Sequence, residues 1–150
     1  MDKSHERGSG ISNRFFRQMS EASNVIEAPQ LHAFSDGGDE AFGTCIFIRW
    51  VTTEGVQLRF VAAKAFVAPL KRKSIPKVEL MGVIAMSRLT TEIVDALGLT
   101  FMFIRFWIDS EVVLYWLFSE SCLYKPFVST RVHNSRNTSG VEEGAAICAK

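Results

Sequence analysis

The sequence predicts an α/β fold in which a three-stranded antiparallel meander is followed by a helix, a parallel strand and a second helix. Three observations point there. Apolar, aromatic and β-branched runs at residues 31–36, 42–51 and 56–65 are separated only by short polar or glycine-bearing turns. Apolar residues then recur at helical spacing through residues 78–97. A final apolar run at 100–108 follows, and a helix between strands is the connection a parallel pair requires.

Element by element, residues 1–30 read as a polar linker or tail, with Phe15-Phe16 as a brief anchor and a helical tendency around 13–23. The character changes at Leu31. Gly37-Gly38-Asp39-Glu40 joins the first two runs, with glycines that permit the positive φ of a tight reversal, and Thr52-Thr53-Glu54-Gly55 joins the next two. Ser74-Ile75-Pro76 offers an N-cap and a proline in the first turn, and Gly98 sits where a left-handed residue ends helices. Between them Val78, Met81, Ala85, Leu89, Ile93 and Leu97 form the expected apolar stripe. Residues 100–108 are dense enough in Phe, Ile and Trp for a strand buried on both faces. Ser110 can cap a short helix from Glu111 to about Phe118 that is apolar almost all round. Residues 123–133 are read as a helix or irregular segment, and 135–150 as a disordered tail, which leaves 31–134 as the folded domain.

Composition narrows the function classes. A chain of 150 residues, 47% of them hydrophobic, can bury one core. Seventeen basic and sixteen acidic residues give a net charge of +1, so any affinity for a polyanion must be local. Cys45, Cys122 and Cys148 form no Cys-x-x-Cys pair and fit a reducing compartment, the cytoplasm or the nucleus. No secretory signal opens the chain, and its longest apolar run is too short for a bilayer.

Chemistry concentrates in three carboxylates. Asp36 closes the first apolar run, Glu79 opens the long helix and Asp109 closes the last apolar run. Carboxylate oxygens at one end of a sheet are ligands for a hard cation such as Mg²⁺ or Mn²⁺. Singly, each has a plainer reading: a turn former before Gly-Gly, a helix N-terminal anion and a helix cap. Lys64, Lys71, Arg72, Lys73 and Lys77 set five cations near the same region, where they would contact phosphates or simply be solvated. His32 and His133 are candidates for polar work, while Phe101, Phe103, Phe106, Trp107 and Trp116 read as core.

The element order is that of the ribonuclease H-like fold. The stretches Leu31-His32-Ala33-Phe34-Ser35-Asp36, Ala41-Phe42-Gly43, Ala62-Ala63-Lys64, Val67-Ala68-Pro69-Leu70-Lys71, Ser74-Ile75-Pro76-Lys77-Val78-Glu79-Leu80-Met81-Gly82 and Trp107-Ile108-Asp109-Ser110 occur in one order, followed by Val113-Leu114 and Trp116-Leu117. In these the chain resembles the Pao-type (BEL/Pao) retrotransposon polyprotein, in the region labelled Pao retrotransposon peptidase, over residues 31–134. The resemblance implies a ribonuclease H-like hydrolase that follows a reverse transcriptase and cleaves the RNA of an RNA–DNA hybrid. It also implies that Asp36, Glu79 and Asp109 are the first three metal-binding carboxylates, with Asp36 the central bridging ligand. Two-metal hydrolysis needs such bridges to hold the ions about 3.5–4 Å apart.

Two departures from the family stand out. Gly37-Gly38 replaces the usual Ala-Ser and is expected to loosen the loop, and the Asn-Pro-Ala-Asp-like segment carrying a fourth carboxylate is missing. These departures leave open both truncation at the C-terminus and whether this copy is active, poorly active or inactive. The alternative to a working nuclease is a non-catalytic relic or interaction module. An aspartic peptidase fits less well, because Asp36-Gly37-Gly38 lacks the hydroxyl residue and Asp109-Ser110-Glu111 lacks the glycine that such loops carry.

Overall fold

The computed structural model describes residues 9–71, 73–119 and 145–149, with side chains treated from residue 13 to residue 119. In chain order the elements are α1 (Ser9–Ser20), β1 (Gln30–Gly37), β2 (Ala41–Thr52), β3 (Gly55–Val67), α2 (Ile75–Leu97), β4 (Phe103–Ile108), α3 (Glu111–Phe118) and β5 (Ala145–Ala149). They form one sheet in the order β3-β2-β1-β4-β5. Pairing is antiparallel for β1 with β2 and β2 with β3, and parallel for β1 with β4 and β4 with β5. The expected meander, crossover helix and parallel strand are all present.

Local chemistry explains most boundaries. At the C-terminus of α2, Gly98 adopts φ 60° and ψ 30° and returns its N–H to the Val94 carbonyl at 3.0 Å. At its N-terminus Ser74 is extended but makes no side-chain cap bond, so Pro76 in the first turn carries more of the start signal than the serine does. The Ser110 hydroxyl does cap α3, accepting from the Val113 N–H at 3.4 Å. The β1–β2 reversal differs from expectation. Among the described glycines only Gly55 and Gly98 have positive φ, so Gly37 and Gly38 are not there for left-handed backbone. A bond of 2.9 Å from the Gly38 N–H to the Ala41 carbonyl closes that hairpin instead.

Helix α2 covers one side of the sheet. Leu31 and Ala33 of β1, Ile46 of β2, and Phe106 and Ile108 of β4 meet Leu80, Val83, Met86 and Leu89 of α2 and Val113 and Leu117 of α3. Of the expected stripe of α2, Val78, Leu89 and Leu97 are buried, but Met81, Ala85 and Ile93 are half-buried, and Leu80, Val83 and Met86 are buried beside them. Each such fully buried aliphatic side chain contributes roughly 1.5–3 kcal/mol.

Three expectations are corrected. The N-terminal region is no mere linker: Phe16 of α1 stacks on Trp50 with ring centroids 5.9 Å apart and joins Ile48 and Leu97 in a second core cluster. Within the supposed tail, residues 145–149 form β5 against β4, while 120–144, including His133, lie outside the described residues. Strand β4 is not buried on both sides either. Phe106 and Ile108 face α2, whereas Phe103 and Trp107 stand with His32 and Phe34 on the opposite face, which no helix among the described residues covers.

Candidate functional site

The parallel register of β1 and β4 sets the carboxylate-bearing ends of the two strands side by side. Phe34 pairs with Trp107, so two residues further on Asp36 and Asp109 leave neighbouring strands at the same end of the sheet. Glu79 enters from the first turns of α2. A Cβ placed on Gly37 would lie 2.9 Å from both the Cα and the N of Glu79, so the end of β1 touches the helix backbone where Glu79 is mounted. Gly82, one turn on, is buried, and a Cβ there would stand 3.2 Å from the Asp36 carbonyl. Two glycines thus let strand and helix approach closely. The departure at Gly37 is a close-packing requirement rather than a loosened loop.

The side chains are less converged than their backbones. Asp36 is exposed and its Oδ1 accepts from the Gly37 N–H at 2.8 Å, Glu79 is half-buried, and Asp109 is exposed. Among the described residues no three His, Cys, Asp or Glu side chains gather closely enough to hold a metal ion. The donor set is still of the right kind, since it offers only hard oxygens at one sheet end. Beside Asp36 lies a cavity of about 430 Å³ bounded by Ser35, Thr44, Cys45 and Lys64, among others.

Of the five cations, Lys64 is tied to Glu92 of α2 at 2.7 Å, an exposed pair of at most about 1 kcal/mol. Lys71 is exposed, Lys73 and Lys77 are half-buried and already partnered, and Arg72 lies outside the described residues. His32 was placed by sequence only as a candidate for polar work. Its Nδ1 accepts from the Trp107 indole N–H at 3.0 Å, which assigns the proton of the neutral ring to Nε2. Burial, then the charges of Arg105 and Arg49, hold its pKa below the ordinary value of 6.5. A histidine fixed in this way is a structural acceptor set apart from the carboxylates.

Residues 4–110 match the family described as Pao retrotransposon-like RNaseH-like domain. The chain belongs to that family. The match begins well before residue 31 and takes in α1, in keeping with the packing of Phe16. No curated protein matches the chain. Among solved structures it is similar to LC11-RNase H1 in complex with an RNA/DNA hybrid, at 12% identity and a TM-score of 0.55 over 80% of this chain and 84% of that one. It is also similar to the N-terminal RNase H domain of a Mycobacterium tuberculosis protein, at 15% identity and TM-score 0.52 over 83% of each chain. RNase H1 from Halobacterium salinarum shares 18% identity at TM-score 0.50 over 81% of this chain and 85% of that one. At these identities the likeness establishes the ribonuclease H fold. No helix among the described residues is long and apolar enough to cross a membrane.

Proposed function

We propose that this Pao-family domain hydrolyses the RNA strand of an RNA–DNA hybrid, with Asp36, Glu79 and Asp109 as ligands for Mg²⁺ or Mn²⁺. One observation carries the reading: the β1–β4 register and the Gly37 contact bring all three carboxylate-bearing backbones to one end of the sheet. Bound there, divalent cations would activate water and stabilise the departing oxygen. The chain's own part is to supply anionic oxygens from two strand ends and a helix turn, with Asp36 and Asp109 open to solvent and Glu79 half-buried beside them. Lys71, Lys73 and Lys77, in and after the loop that leads into α2, would meet backbone phosphates, and Lys64 would join them by exchanging its Glu92 partner. The hybrid held by LC11-RNase H1 supports this choice of substrate. In the parent polyprotein a reverse transcriptase domain would supply it.

A second reading, a non-catalytic interaction module, is favoured by the Asp36 carboxylate, whose Oδ1 is turned to the Gly37 N–H at 2.8 Å. A hybrid-cleavage assay in Mg²⁺ or Mn²⁺ separates the two. The nuclease reading expects cleavage that chelation abolishes and that Asp36→Asn or Asp109→Asn lowers by at least about a hundredfold. A folded protein that cuts nothing, or cleavage indifferent to both substitutions, supports the module instead.

A further inference from the structure

The loop between β3 and α2 carries a hydroxyl that the fold leaves unused. Ser74 stands where an N-cap belongs, yet its side chain makes no cap bond to the helix it precedes. It is exposed, its backbone is extended at φ −67° and ψ 148°, and Leu70, Lys71 and Ile75 on either side of it are exposed as well. Every other described serine or threonine that follows a basic residue within three positions is engaged or buried. Ser20 accepts from the Trp50 indole at 3.1 Å, Thr52 is buried and bonds the Gly55 carbonyl at 2.7 Å, Thr90 is buried, and Thr91 lies inside α2 and bonds the Ser87 carbonyl at 3.2 Å.

The sequence around Ser74 is basic over a long stretch. From Gly55 to Val78 it contains Arg59, Lys64, Lys71, Arg72, Lys73 and Lys77 and no acidic residue, within a chain whose net charge is only +1. Lys71, Arg72 and Lys73 immediately precede the serine. In the fold two acids border the stretch, Glu79 on α2 and Glu40, whose carbonyl accepts from the Ala68 N–H at 2.7 Å. A protein kinase reads the linear segment seated in its cleft and selects it by the charges flanking the acceptor hydroxyl, so these two acids do not enter.

We propose that Ser74 is a phosphorylation site for a basic-directed serine kinase, and that the phosphate it acquires occupies Lys71, Lys73 and Lys77 in place of a nucleic-acid backbone. The Ser74 Oγ bonds to the γ-phosphorus of ATP, the bond from that phosphorus to the bridging oxygen breaks, ADP leaves, and the hydroxyl proton passes to the kinase's catalytic aspartate. The product carries about −1.5 to −2 charges and three acceptor oxygens. All three lysines lie within three residues of it in sequence, and Lys73 and Lys77 would exchange their present partners for it. The consequence for function rests on the hybrid-binding reading above, because an internal anion competes for the cations that meet the substrate's phosphates.

Labelling with γ-phosphate-labelled ATP on the full chain tests the site, with a cAMP-dependent kinase as the basic-directed enzyme and an acid-directed kinase as the control. The basic-directed enzyme is expected to modify Ser74, located by fragment mass spectrometry, at least about tenfold faster than the control does. Ser74→Ala should lower total incorporation at least about fivefold, and Lys71→Gln with Arg72→Gln should lower the kinase's kcat/KM about tenfold while leaving the thermal melt in place. Binding of a labelled RNA–DNA hybrid is then read by fluorescence anisotropy in chelator, where no cutting occurs. At about 0.1 M salt the phosphorylated chain is expected to bind at least about tenfold more weakly than the unmodified one and with a shallower salt dependence, whereas Ser74→Ala binds as the parent does. Incorporation unchanged by Ser74→Ala overturns the site, and equal affinity of the two forms overturns its effect on the lysines. A hybrid bound by neither form defeats the nucleic-acid reading and this effect with it, while the labelling result decides the site by itself.

Discussion

The two faces of this sheet are built from similar residues and meet different fates. On one, Leu31, Ile46, Ile48 and Phe106 disappear beneath α2, α3 and α1; on the other, Phe34, Phe47, Phe60 and Trp107 lie against each other with a flank left open. Alternation along a strand sorts side chains between faces, but the cover over each face is decided by other parts of the chain. Stability is therefore concentrated on one face of the sheet, and the other contributes less buried surface.

The largest test of that difference is substitution in the covered face. Leu80→Ala and Phe16→Ala should each cost about 3 kcal/mol, read as a lowered urea midpoint, and Phe16→Ala should also expose Trp50 to a fluorescence quencher. Next comes Gly37→Ala, where a methyl must displace the α2 backbone; a loss of about 1–3 kcal/mol is expected, together with a large drop in any hybrid cleavage as Glu79 shifts. On the open face, Leu58→Ser should stay within about 0.5 kcal/mol of the parent, and a larger loss would show that the face is covered after all.

The smallest expected effect is a pH dependence from His32. Because its folded pKa lies below 6.5, the unfolded chain takes up this proton more readily, so stability is complete above that value and declines as pH falls through it toward the lowered one. Paired thermal melts of the parent and His32→Gln should differ in slope with pH only in that acidic window.

Much of the fold was legible because local signals agreed with tertiary structure. The glycine and proline punctuation around α2 and the turns between β1, β2 and β3 marked elements that the structure contains. Other parts were hidden for physical reasons. One aromatic side chain, Phe16, seats α1, and one residue makes no period. Strand β5 is five residues long and mostly alanine, a weak strand former. The apolar character of β4 suggested cover on both sides, yet composition cannot distinguish a face that a helix covers from one that it does not. For the site, the carboxylates could be named from their positions at element ends, but the requirement for glycine at 37 and 82 appears only when strand and helix are seen in contact.

At the end of α2 remote from Glu79, Asn13 donates to the Ala96 carbonyl at 2.9 Å and the Arg17 guanidinium to the Leu97 carbonyl at 3.2 Å. These donors answer two of the acceptors that a helix terminus leaves over and bring a cation to its negative pole. The 23-residue rod, about 35 Å long, is thus clasped at both extremities, by α1 at one and by the β1 glycine at the other. Trimming the protein back to Leu31 would release the far clasp, and the loss would travel along the rod to the carboxylate it carries.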